Sequence, residues 1–250
     1  MADLLGDPNF PQKAMKANRG LQIAYFQGLF KQYSRLKMSR IADRPLGIAG
    51  LEQRLQTAFG THGAFGIFDD TDRVDGGLFH RSLLWIRGTE TDDAPVLTRI
   101  EALASRSHDV PSWSWMAYDG GIDYIDPPFQ SADWERDIVS PWAGGKPRQP
   151  VTGGIVLRAP IHVFRAHISV EDDTKVVYDM SPDEERYDGD CVVIARSKNA
   201  GTSMSMRCYV LFVRRVETGT FEELFERIGA GYVSERSIFE LYGRPMADII

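Results

Sequence analysis

From Val151 onward the sequence repeats one pattern: a short run of β-branched and aromatic residues, then an acidic or Gly/Ser/Asn turn. Gly154, Val156 and Arg158 alternate with Ile155 and Leu157, and further apolar runs fall at 161–163, 168–170, 176–178, 191–195 and 208–216. Glu171-Asp172-Asp173, Asp188-Gly189-Asp190 and Asn199-Ala200-Gly201 separate several of them. Such runs predict strands of an antiparallel, β-rich body. Residues 220–227 interrupt the pattern, because Thr220 as a cap and Glu222-Glu223 in a first turn predict a short helix. Residues 232–233 and 238–241 then finish the sheet.

The first quarter has a different period. Between residues 12 and 36, Ala17, Leu21, Tyr25, Leu29, Tyr33 and Leu36 recur at three- and four-residue steps, with lysines and arginines mostly on the other face. A second helix starts at Asp43-Arg44-Pro45, with Asp43 as N-cap, and closes at Gly60. The expected class is α+β: two N-terminal helices packed on an antiparallel β-rich sandwich or barrel-like body of about eight to ten strands. One domain over 1–250 is expected, with a helical part (1–60), an aromatic hairpin region (61–140) and a β-rich part (151–250). Residues 130–150, with Trp134, Trp142 and several prolines, read as a long loop and internal boundary.

Between these parts lies the densest aromatic stretch, from His108 to Phe129. Trp113 and Trp115 sit two apart, the period of an extended strand, and Asp119-Gly120-Gly121 supplies a turn. The spacing predicts a hairpin of 112–118 on 122–125. Upstream, Asp69-Asp70-Thr71-Asp72 invites a calcium loop, but counting from Asp70 the sixth residue is Asp75 and the twelfth Arg81. A calcium loop needs glycine and glutamate there, so a solvated acidic turn is expected. Residues 77–86 are either a short helix followed by a strand or one buried strand.

A net charge of -6 and a pI near 5.4 argue against general affinity for nucleic acid or anionic membrane. No run approaches the ~20 apolar residues of a membrane span, and the N-terminus lacks the basic-then-apolar order of a secretory signal. The cytosol is the default compartment, where Cys191 and Cys208 are expected as reduced, buried thiols. No nucleotide-binding glycine motif, nucleophile elbow or paired-histidine metal motif is present, so no cofactor and no metal are expected.

What remains is a polar–aromatic constellation. His80, Arg81 and Asp123 are the candidate catalytic residues. His80 or His108 would act as acid or base, oriented by Asp123 or Asp119, and Arg81 would hold a carboxylate or an enolate. Trp85, Trp113, Trp115, Tyr118, Asp119, Tyr124 and Phe129 would line the ligand site. The competing reading fills a core with the rings, gives Asp119 to the turn and pairs Arg81 with Asp119 or Asp123.

Four pieces, in this order, give the chain a family likeness: Asp43-Arg44-Pro45-Leu46-Gly47-Ile48-Ala49-Gly50-Leu51, the segment ending Arg81-Ser82-Leu83-Leu84-Trp85, Val110-Pro111-Ser112-Trp113-Ser114-Trp115, and Glu226-Arg227-Ile228-Gly229-Ala230-Gly231. Together they resemble the downstream part of fungal heterokaryon-incompatibility proteins. The name-giving domain of that family, similar to the Toll/interleukin-receptor fold, lies upstream of such a region, and its activities do not carry over to these residues. The resemblance implies a stand-alone binding module for a small molecule or a protein. The alternative is a cofactor-independent cyclase or isomerase of fungal secondary metabolism, working in an aromatic-lined pocket.

Overall fold

The computed structural model describes residues 16–70, 77–88, 96–101, 110–143, 155–168, 174–180, 188–198, 206–217, 223–241, 243 and 245–250. Helix α1 (Arg19–Ser34) begins where the Asn18 side chain accepts from the Leu21 N–H at 3.0 Å. Ile23, Phe26, Phe30 and Tyr33 form its buried stripe, one helical face. Helix α2 (Arg44–Phe59) ends on Gly60 in the left-handed conformation, φ 58°. Both expected helices are present, but Asp43 makes no side-chain cap. A 3-10 turn over Ile41–Asp43 leads into α2 instead.

A small hairpin follows, β1 (His62–Ala64) on β2 (Ile67–Asp69). Residues 77–86 are helix then strand: α3 (Leu78–Leu83) runs into β3 (Trp85–Arg87). Next come β4 (Thr98–Arg99), β5 (Tyr118–Asp119), β6 (Ile122–Tyr124) and β7 (Ala132–Trp134). The expected hairpin of 112–118 on 122–125 does not form. β5 pairs with β4, and β6 with β3. The cause is Ser114, whose hydroxyl accepts from the Met116 N–H at 3.1 Å and starts a 3-10 turn over Trp115–Ala117. A side-chain oxygen that satisfies a nearby N–H offers the backbone an alternative to a ladder.

The remaining strands are β8 (Leu157–Pro160), β9 (His162–Phe164), β10 (Lys175–Tyr178), β11 (Gly189–Ser197), β12 (Arg207–Val216), β13 (Leu224–Ser234), β14 (Ile238–Glu240) and β15 (Met246–Ile249). With β7 they make a nine-stranded sheet in the order β14-β9-β11-β12-β13-β15-β8, with β10 also on β13 and β7 also on β11. Every pair is antiparallel except β13 with β15. The ends β14 and β8 do not meet, so the sheet is open and not a closed barrel. Where a helix was expected over 220–227, the described chain is extended from Leu224, because it pairs with β12 along its whole length. Residues 130–143 are also less loop-like than expected, and 144–150 lie outside the described residues. β7 pairs with β11, Val139 bridges to Arg158, and Trp142 is buried.

Alternation along the central strands feeds two apolar clusters. Val192, Ile194, Tyr209, Leu211 and Val213 face one, and Cys191, Val193, Cys208, Val210 and Phe212 face the other. The cysteines are free, buried thiols, as expected. A third cluster joins α1, α2 and the Trp115 turn.

Candidate functional site

The Pro-Ser-Trp-Ser-Trp segment is a junction. Trp113 belongs to the main cluster of the sheet, while Trp115 belongs to the helical cluster. The Trp113 indole donates to Ile249 O at 3.0 Å, and the Trp85 indole donates to Trp113 O at 2.8 Å. Ser112 ties the same point to two strands: its N–H donates to Ile250 O at 2.9 Å, and its hydroxyl accepts from the Arg227 N–H at 2.9 Å. Strand β15, which no sequence pattern announced, is therefore held by the motif that announces the family likeness.

Arg227 is the charge at the centre. Its side chain is fully buried, and so is that of Asp179, whose carboxylate accepts from Nε at 3.0 Å and Nη2 at 3.1 Å. Nη1 donates to Leu83 O at 2.7 Å and Nη2 also to Trp85 O, while the guanidinium lies 3.3 Å from the Trp85 ring centroid. Burial pushes the Asp179 carboxyl up, against the pull of Arg227. Trp85, Trp113, Trp115 and Tyr118 are all buried. Burial raises the Tyr118 phenol to about 12 and drives the Tyr124 hydroxyl up as well. Neither phenol is an anion near neutral pH.

His80 and Arg81 emerge from α3 at a different place. Asp70 fixes that helix by accepting from the Phe79 N–H at 3.0 Å and the Leu78 N–H at 3.3 Å, and it pairs with Arg19. It is buried, so the acidic turn expected there is not solvated at Asp70. His80 stacks on Trp134, centroids 5.4 Å apart and planes at 26°. Its Nε2 donates to Glu135 O at 2.8 Å. A carbonyl can only accept, so the neutral ring carries its proton on Nε2 and leaves Nδ1 as a lone pair. Nδ1 is buried with no hydrogen-bond partner among the described residues. Burial lowers the imidazole's affinity for a second proton, partly offset by Glu135, Asp70 and Asp69. Arg81 places its guanidinium 5.0 Å from the Trp134 ring centroid. It pairs with Asp126, not with Asp119 or Asp123, and donates to Pro127 O at 2.5 Å. Gly77, at φ 102°, lets the backbone lie against Trp134, where a β-carbon would come within 2.8 Å of the indole.

The other candidates disperse. The Asp123 carboxylate is held by Lys31 at 2.5 Å, in the last turn of α1, and by Arg35 at 3.4 Å, the residue that follows the helix, away from the Trp134 partners His80 and Arg81. Asp119 is exposed and lies 3.5 Å from Arg44 Nη2. Phe129 is 45% exposed and rests on Gly20 of α1. His108 and Asp109 lie outside the described residues.

No family model, no curated protein and no solved structure matches this chain. The likeness to heterokaryon-incompatibility proteins accordingly rests on its four sequence pieces. Among the described residues no group of three or more His, Cys, Asp or Glu side chains is placed to hold a metal ion, and no helix is long and apolar enough to cross a membrane.

Sequence reasoning missed Trp134, Asp70, Asp179 and Arg44. Trp134 lay in a stretch without a period, and Asp179 follows a short strand with nothing to mark it as buried. Arg44 had a signal, a cation fixed inside a helix start, but it was spent on reading the cap. Its buried guanidinium donates to Ser34 O at 3.1 Å and to Tyr118 O at 2.5 Å.

Proposed function

We propose that this chain is a binding module, of the kind represented by the downstream region of heterokaryon-incompatibility proteins, that takes a small molecule or a protein partner at the Trp134 face. The observation that supports this is Trp134 itself. Of the five tryptophans it alone is not buried, and it is flanked by the His80 ring and the Arg81 guanidinium. Asp126, with its side chain 43% exposed, and Phe129 extend the face. An aromatic surface with a few convergent polar groups suits a ligand that stacks and hydrogen-bonds. Affinity capture on wild type, Trp134→Phe and Trp134→Ala in parallel tests it, with bound molecules identified by mass spectrometry. Capture by wild type, weakening in the phenylalanine variant and loss in the alanine variant is expected. Equal capture by all three proteins, or none by wild type, would overturn the assignment.

A second reading, a cofactor-independent enzyme of fungal secondary metabolism, is favoured by one observation, the unprotonated Nδ1 of His80. A neutral imidazole has one unprotonated nitrogen, and a substrate that reached Nδ1 would find there a general base weakened by burial. Untargeted metabolite profiles of a deletion strain and a His80→Gln strain test this. Profiles matching the parent in both would remove it.

A further inference from the structure

Charge is segregated along this chain. Residues 16–60 contain eight lysines and arginines and two acids, a local net charge of +6 in a chain of net charge -6. Several of these cations have partners: Arg19 on Asp70, Lys31 and Arg35 on Asp123, and Arg44 on backbone carbonyls. Lys37 and Arg40 differ. Both are exposed on the connection between α1 and α2, and neither side chain has an ion pair or hydrogen bond among the described residues. Leu36 on the same connection is 46% exposed, and Leu46 in the first turn of α2 is 68% exposed, the largest value among the exposed large apolar side chains.

We propose that this corner docks an acidic amphipathic segment of a partner protein, with Leu36 and Leu46 as the apolar contact and Lys37 and Arg40 as the charge contact. Two leucines flanked by unpaired cations match apolar anchors flanked by Glu or Asp. A second copy of this chain is the poorer occupant, since a two-fold contact sets Lys37 and Arg40 against themselves. An anionic bilayer is also poorer. Asp119, with its side chain 58% exposed beside Arg44, and Asp43 at the head of α2 share the corner. A broad anionic surface is repelled by both acids at once. The corner stands at the opposite end of α1 from the Phe129 contact, roughly 24 Å away, and does not depend on the Trp134 reading.

The test uses the full chain and a fluorescent amphipathic helical peptide of about five turns, with leucines on one face and flanking glutamates. A lysine-flanked peptide with the same leucines is the control. Anisotropy should show binding of the glutamate peptide, about tenfold weaker in Leu46→Ala and weaker again when salt is raised to about 0.2 M. The double variant Lys37→Glu/Arg40→Glu should reverse the preference toward the lysine peptide. No binding of the glutamate peptide, equal binding of both peptides, or no response to the double variant would each overturn the proposal. Salt-sensitive binding to phosphatidylserine vesicles in preference to the peptide would reassign the corner to a membrane and overturn it. Self-association lost in Leu46→Ala would do the same in favour of a second copy.

Discussion

At the scale of single residues, two buried charges decide how stability responds to conditions. Glu52 on α2 is 6% exposed and accepts from the Gly66 N–H at 2.6 Å. Burial raises its carboxyl from 4.5 to about 7, against the help of the Gly66 and Phe65 N–H groups. Between those values the folded chain keeps a proton that the unfolded chain has lost, so stability falls as pH rises through the window and levels off above it. Glu52→Gln stays neutral and still accepts from Gly66. It should match wild type near pH 4 and exceed it near pH 8 by on the order of 3 kcal/mol, read from urea midpoints at both values. Equal pH slopes for the two proteins would contradict this. Arg227 sets a different problem, since its removal leaves the Asp179 carboxyl buried without its partner. Arg227→Met should cost about 3–5 kcal/mol, and adding Asp179→Leu should recover much of the loss by chemical denaturation. A double variant as unstable as the single one would mean that the carboxylate is not the source of the cost.

At the scale of elements, the helices were legible and the central stretch was not. Helix α2 announces its ends with Arg44-Pro45 and Gly60, which act locally. The strands β11 and β12 announce themselves as continuous apolar runs, because both of their faces are buried against apolar clusters. Trp113-Ser114-Trp115 has the spacing of a strand, yet Ser114 bends it, and the two rings part company. That outcome depends on partners such as Phe65 O, which accepts from the Ser114 hydroxyl at 2.7 Å from 49 residues away. Spacing carries no trace of such partners. The site was legible in the same partial way: His80 and Arg81 stood out as polar residues in an apolar run, but Trp134 joins them only through the fold. Strand β10 makes a further prediction. It lies so close along β13 that a β-carbon at Gly231 would overlap the Lys175 carbonyl, and one at Gly229 would approach Val177 O to 2.5 Å. Gly231→Ala should pull β10 off its neighbour, seen as faster amide exchange in β10 than in β12. Uniform exchange across the sheet would argue against so local an effect.

At the scale of the whole molecule, the Trp113–Trp115 segment is one of several that join the helical cluster to the sheet, with Ile67-Phe68 and Trp85-Ile86 among the others. With Trp113 in one cluster and Trp115 in the other, loosening either should loosen both. Thermal unfolding followed by far-ultraviolet circular dichroism and by tryptophan fluorescence should therefore give coincident transitions, and Trp115→Phe should lower both by the same amount. Two resolved steps would show that the junction does not couple the layers. The forked outline of the sheet has its own consequence. On one flank β11 is shared by β9 and β7, and on the other β13 is shared by β15 and β10. The outermost strands β7, β14, β8 and β10 are only three, three, four and four residues long. An incoming strand from another chain finds no long row of unpaired N–H and C=O groups on these strands to copy, so the branching that completes the core also guards this β-rich chain against amyloid-like growth.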